Sequence, residues 1–578
     1  MNQPTPAIVA QSAVRRLPRI ALLLLCAAYL LPGLVGRGPW KSADVTSFGY
    51  MAELARTTEG LARWLDPLLL GLRPETPALL PYWIGAAAIK LAPSWVHPDL
   101  AVRFVFALML WLVFTTTWYA VYFLARTPRA QPVAFAFGGE ALPKDYARAM
   151  ADGGLLALIA CLGLAQLGHE TTPALAQLFF TTHVFFGIAA LPYRPVGAAI
   201  ALLGGTFGLT LSGAPAVGLA LGVGGLAIAW VDTRRRAALV NEDDETPGYS
   251  YKALLLIAAA TAVAALLAVA MKLWHWQISL PGTHPGRSLG ADVGSQLRLL
   301  LWFTWPAWPL ALWTLWRWRR QLSARHVALP LWFVAVPLAA TWSTNFSERS
   351  LLLGLPAFAT LAAFALPTFR RSVAALVDWF TLLFFTGSAL IIWIYWLAMQ
   401  SGWPPKMASS VARLTLGHVP PISWLGVAFA IVATVAWCWL VRWRSGRHRA
   451  ALWKTLVLPA GGAALCWLLG MTLWLPSLDH VLSYGPQVAS IAEKVGTRPG
   501  CVAELGVPRP QIAALRHHGD FDLHVFDDSS SCRWLLISAD AIPTLRTVVS
   551  FDEWHLIGSF RRQTSASDDL LLYERLAP

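Results

Sequence analysis

Ala101–Ala125 reads AVRFVFALMLWLVFTTTWYAVYFLA, and Arg103 is its only charged side chain. About 20 apolar residues in helical form cross the roughly 30 Å hydrocarbon layer of a bilayer. Inside that layer a backbone must satisfy its own hydrogen bonds, which a helix does. The stretch therefore predicts a membrane-spanning helix, and similar stretches recur from Ile20 to Trp474. The whole chain agrees with it. Of 578 residues, 56% are hydrophobic and 13% charged, and the mean hydropathy is +0.54. A water-soluble globule with a charged surface does not show that balance.

Outward from this segment, spans are predicted near 18–36, 101–125, 153–168, 174–192, 196–212, 215–231 and 253–271. A second series follows near 298–316, 327–342, 351–369, 377–398, 421–441 and 453–475, about thirteen crossings in all. The formal charge of +14 is spread in short clusters between apolar runs, not over one continuous basic domain. It therefore reads as a topology signal, and nucleic acid is not expected as a partner. With a cytoplasmic N-terminus, the loops expected on that side carry Arg126 and Arg129, Arg234 to Arg236, Arg317 to Arg320, Arg370 and Arg371, and Arg442 and Arg444. The opposite turns at 169–172 and 212–215 carry no basic residue, as the positive-inside rule requires. Arg15, Arg16 and Arg19 before the first span also fit a signal peptide. No small-residue cleavage site follows, so the segment is read as a retained helix.

An odd number of crossings sends residues 477–578 to the periplasm. Cys501 and Cys532 lie there, outside the spans, and no C-x-x-C or Cys/His zinc pattern occurs. A disulfide between them is the preferred reading, and it requires an oxidising compartment. Helix-like stretches (486–495, 510–516, 539–548) alternate with strand-like ones (523–526, 534–537, 570–573), so the tail is expected to be a small periplasmic α/β domain. Residues 1–476 form the membrane domain. Within it, 36–102 is a first periplasmic loop whose stretches 48–65 and 79–91 suit interfacial helices. The Gly/Ala-rich 197–225 segment reads as close helix packing.

That first loop contains Gly38-Pro39-Trp40-Lys41-Ser42-Ala43-Asp44, then Arg73-Pro74-Glu75-Thr76-Pro77, then Pro81-Tyr82-Trp83, and Arg103 opens the next span. The order resembles GT-C glycosyltransferases of the aminoarabinose lipid A transferase and protein O-mannosyltransferase type. Those proteins carry an acidic motif, a Glu-Lys-Pro-like motif, a Tyr-Trp pair and an Arg in this order. The likeness extends to Trp305-Pro306-Ala307-Trp308-Pro309 and to the plan of many helices with a periplasmic tail. Two positions depart from it: the acidic pair is Asp44-Val45, and Glu-Lys-Pro is Glu75-Thr76-Pro77. Either Lys41, Arg73 or Arg349 replaces the missing lysine, or the substrate differs.

The resemblance implies transfer of a sugar from a polyprenyl-phosphate-linked donor to a lipid, glycan or protein acceptor, with membrane lipids around the site. Such a reaction asks for a carboxylate on the nucleophile and for cations or a metal against the departing phosphate. Asp44 is the candidate for the first role. Glu75, Lys41, Arg73, Tyr82, Arg349, His169 and Glu170 are candidates for substrate. Glu75 and His284 are candidates for a divalent metal ion. The competing readings are plain: solvated loop carboxylates for Asp44 and Glu75, a polar helix end for His169-Glu170, a structural His284, and an Arg349 paired with Glu348 or a lipid headgroup. At the level of function, the alternatives are a lipid-linked-sugar transporter or flippase and a noncatalytic scaffold. The charged residues collect in loops instead of inside spans, which speaks against transport. No G-x-x-x-x-G-K-[ST] loop is present, which speaks against a nucleotide-driven pump.

Overall fold

The computed structural model describes residues 5–58, 60–237, 247–274, 288–344, 347–415, 417–446, 451–496, 500–527, 532–542, 553–562 and 565–576. The Ala101–Ala125 run lies in one helix, Pro98–Ala125, which starts on a proline whose missing N–H costs nothing in a first turn. Pro143, Pro173, Pro195 and Pro215 open helices in the same way. Among the described residues, eight helices are long and apolar enough to cross a membrane, and three shorter apolar ones run Arg19–Leu30, Pro195–Leu211 and Leu355–Thr368.

Several segments predicted as single spans are shortened or broken, each for a local reason. The first ends at Leu30, because Pro32 has no N–H to continue the helix ladder and Gly33 turns the chain with a φ of 81°. The third is a helix Pro143–Ala160 and a separate turn Leu162–Leu167. The eighth is interrupted between Leu289–Phe303 and Ala307–Arg317, where Pro306 cannot donate to the helix ladder. The Gly-rich segment packs as expected. A Cβ on Gly205 would lie 2.8 Å from the Val184 nitrogen and 2.9 Å from the Phe180 carbonyl, so the Pro173–Ala190 and Pro195–Leu211 helices touch through backbone.

The first loop folds into helices Ser42–Arg56, Leu61–Leu65 and Leu80–Leu91. An amphipathic surface helix would bury one stripe. In Ser42–Arg56, however, Asp44, Val45, Ser47, Phe48, Gly49, Tyr50, Met51 and Leu54 are all buried, so protein encloses the helix. On one side lies Leu80–Leu91, where Gly85 leaves room for the Met51 side chain. On the other lies a helix of the C-terminal segment, Arg509–His518.

That segment builds a five-stranded sheet, from β1 (Cys501–Leu505), β2 (Asp522–Val525), β3 (Trp534–Ser538), β4 (Trp554–Arg562) and β5 (Ser565–Arg575), in the order β2-β1-β3-β5-β4. β1 is parallel to β2 and β3, while β5 runs antiparallel to β3 and β4. Val502, Ala503, Leu535, Leu536 and Ile537 fill its core. Cys501 is bonded to Cys532 across a separation of 31 residues, a closure that stabilises by about 3–4 kcal/mol through chain entropy. The stretch 539–548 enters as a short turn, Ala539–Ala541, and 543–550 lies outside the described residues.

Candidate active site

Asp44 sits in the first turn of the Ser42–Arg56 helix and is 2% exposed. A buried carboxylate needs donors. Here Oδ1 accepts from the backbone N–H and from the hydroxyl of Thr171, each at 2.7 Å. Thr171 belongs to the turn between Leu162–Leu167 and Pro173–Ala190, and the residue before it is the second acid of the cluster. Glu170 is 3% exposed and accepts from the Arg349 guanidinium at 2.9 Å, while Lys41 Nζ stands 3.8 Å from its other oxygen. Lys41 also pairs with Glu348 at 3.4 Å. Burial first, and the neighbouring Asp44 carboxylate second, raise the Glu170 pKa against the pull of Arg349 and Lys41.

Arg37 completes the cluster from the segment between the first helix and Ser42–Arg56. It donates through Nε to the Gly33 carbonyl at 2.8 Å and through Nη2 to the His169 carbonyl, and it lies 4.9 Å over the Trp40 ring. Burial lowers its pKa, and Asp44, Glu170 and Asp479 act in the opposite direction. Three carboxylates (Asp44, Glu170, Glu348) thus face three cations (Arg37, Lys41, Arg349). Glu348 is also on the wall of a cavity of about 550 Å³, where Leu167, Leu299, Trp302 and Phe303 supply apolar wall and Gln166, Ser295 and Arg298 supply polar groups. A hollow with a largely apolar wall therefore opens directly beside the charged cluster.

Against ArnT from Cupriavidus metallidurans bound to undecaprenyl phosphate, the match has a TM-score of 0.56, covers 97% of each chain and shows 15% identity. The apo state of the same protein matches with a TM-score of 0.53 and 16% identity, again over 97% of both chains. This chain shares the GT-C fold. No family model and no curated protein matches the sequence.

Within the GT-C fold, the residues singled out from sequence divide into two groups. Asp44, Lys41, Glu170 and Arg349 come together as described, although 307 residues separate Lys41 from Glu348 and 179 separate Glu170 from Arg349. The others lie apart. His169 turns away from Glu170: its ring stacks on Trp467 at 4.3 Å, and its nitrogens face the Ala165 and Tyr29 carbonyls at 2.6 and 3.0 Å. Burial holds its pKa down at about 4, so it is a neutral wedge in helix packing. Arg103 is tied to the Asp99 carboxylate and to the Leu34 carbonyl at 2.8 Å, joining the turn after the first helix to the Pro98–Ala125 helix. Tyr82 is buried with its ring 5.4 Å from that of Tyr50.

The Glu-Thr-Pro motif faces the C-terminal domain. Glu75 Oε1 accepts from Arg509 at 3.3 Å, Arg509 also donates to the Arg73 carbonyl at 3.1 Å, and the Arg73 guanidinium pairs with Asp66 at 2.9 Å. Thr76 and Pro77 lie against Gly213. The Glu75 side chain is 82% exposed, and His284 lies outside the described residues. Among the described residues, no three His, Cys, Asp or Glu side chains gather so as to hold a metal ion.

Thr171, Arg37 and Asp479 were not legible as site residues. For Thr171 the available signal is its place beside Glu170, and for Arg37 its place just ahead of the Gly38–Asp44 motif. For Asp479 there was none, because its partners are 441 and 439 residues away.

Proposed function

We propose that this chain is an integral glycosyltransferase of the bacterial inner membrane. It moves a sugar from a polyprenyl-phosphate-linked donor to an envelope acceptor (lipid A, glycan or protein), with the site and the C-terminal domain on the periplasmic face. One observation carries the reading. Asp44, clamped on one oxygen by Thr171, stands in a cluster with Lys41, Glu170 and Arg349 beside a cavity with a largely apolar wall. A lipid-linked phosphate needs this pairing of cations with apolar wall. ArnT, which shares the fold, has been captured with undecaprenyl phosphate, and this supports a donor of that class.

In the reaction the acceptor hydroxyl oxygen bonds to the anomeric carbon. The bond from that carbon to the phosphate oxygen breaks, and its electron pair leaves with the polyprenyl phosphate. The hydroxyl proton passes to Asp44, whose Oδ2 is not used by Thr171. Lys41 and Arg349 offset the charge that grows on the departing phosphate. Glu170 holds Arg349 in place for that task.

The test is transfer of radiolabelled sugar from purified polyprenyl-phosphate sugars to membrane extract, with variants at matched expression. Asp44→Ala is expected to lower the rate by roughly 10²- to 10⁴-fold, the usual contribution of a positioned acid or base. Glu75→Ala, whose target sits on the Arg509 side, is expected to lose less. Transfer that survives Asp44→Ala, or is absent in the wild type, defeats the proposal.

A further inference from the structure

Asp479 lies in the helix Leu475–Leu482, which follows the last long apolar helix and precedes the sheet domain. Its Oδ1 accepts two hydrogen bonds from the first loop: from the Gly38 backbone N–H at 2.8 Å and from Trp40 Nε1 at 2.7 Å. Arg562, on β4, reaches the same place. It donates to the Trp40 carbonyl at 3.2 Å and to the Leu482 carbonyl at 2.7 Å, with its guanidinium 3.7 Å over the Tyr484 ring. Gly38 to Trp40 is thus gripped through backbone and side chain by parts of the chain that come more than four hundred residues later.

The grip falls immediately before Lys41 and the start of the helix that carries Asp44. That helix has Lys41 as its N-cap in extended conformation, with no side-chain capping hydrogen bond. A helix start without a side-chain cap of its own depends the more on what holds the residues in front of it. Two N–H donors on one anionic oxygen make a strong, directional hold. We propose that Asp479 is a positioning residue: it touches no substrate, but through Gly38 and Trp40 it sets where Lys41 and Asp44 point. The inference rests on the glycosyl-transfer reading above.

The experiment uses the full chain in lipid nanodiscs with Asp479→Ala, Asp479→Asn and, as a control for domain docking, Arg516→Ala, which cuts a separate tie to Glu53. Transfer kinetics are read together with hydrogen exchange across residues 38–48. Asp479→Ala is expected to lower kcat by roughly 10- to 100-fold, as a displaced catalytic group does, and to speed exchange in that segment. Asp479→Asn keeps an acceptor oxygen and recovers most of kcat, while Arg516→Ala leaves kcat near wild type. A kcat unchanged in Asp479→Ala, or an equal loss in Arg516→Ala, or no rescue by Asp479→Asn, overturns the assignment. If the wild type transfers no sugar, the glycosyl-transfer reading fails by itself. Hydrogen exchange then decides the tether: faster exchange at 38–48 in Asp479→Ala upholds it, and unchanged exchange overturns it.

Discussion

Glu170 shows how single side chains in this protein balance opposed demands. Its carboxylate is out of water and near that of Asp44, two influences that favour the protonated form, yet Arg349 and Lys41 favour the charged one. The Arg349 side chain is still about a third exposed, which weakens the pair relative to a fully enclosed one. A double-mutant cycle with Glu170→Gln and Arg349→Ala is therefore expected to give a coupling of about 1–2 kcal/mol in thermal unfolding. Strict additivity of the two substitutions would show that the contact at 2.9 Å contributes nothing. His169, one position earlier, is set the opposite task and is kept neutral by the same enclosure.

At the scale of elements, the crossing of Ser42–Arg56 over Arg509–His518 matters most, because it joins the first loop to the C-terminal domain. Gly49 makes it possible: a Cβ there would sit 2.5 Å from the Ala513 Cβ, nearer than side-chain carbons ever stand. Gly49→Ala is expected to cost about 1–3 kcal/mol by overpacking, and Ala513→Gly in the same chain should return most of it. Differential scanning fluorimetry would check both, and a Gly49→Ala variant as stable as wild type would refute the close crossing. Sequence reading found the elements better than their contacts. Apolar length revealed the long helices, because that constraint is local. The enclosure of Ser42–Arg56 escaped it, since helical periodicity looks the same against lipid and against protein. β1 and β4 escaped it too: the first is only CVAEL, and the second, at the sheet edge, mixes exposed and half-buried positions without clean alternation.

At the scale of the whole molecule, the site is distributed. Lys41 and Asp44 were legible from motif order, and Glu170 and Arg349 from charge in otherwise apolar turns. Glu75 and Arg73 carried the same kind of signal yet belong to the seam with the C-terminal domain, and Tyr82 packs on Tyr50 within the first loop. Nothing in a single sequence separates the two uses, because the distinction is made by contacts hundreds of residues apart. The seam also has a pH signature. The His517 ring stands edge-on to Phe48 at 4.6 Å, and burial, with His518 beside it, lowers its pKa to about 4, Asp99 opposing. An unfolded histidine binds its proton near 6.5. Between about 6.5 and about 4 the unfolded state therefore holds more protons, and stability falls as pH falls. The melting temperature is expected to drop across that window, and to drop less in His517→Phe. A flat profile in the wild type would contradict the neutral histidine.

The seam also dictates a timetable. Glu53 meets Arg516 only after 463 further residues have been made, roughly half a minute to a minute and a half at ordinary rates of synthesis. Through that interval the helix bearing Asp44 waits beside the membrane without its final neighbour. A chain released early by the ribosome would possess every residue of the charged cluster and still lack the element that encloses it, so completeness of translation is written into the geometry of the site.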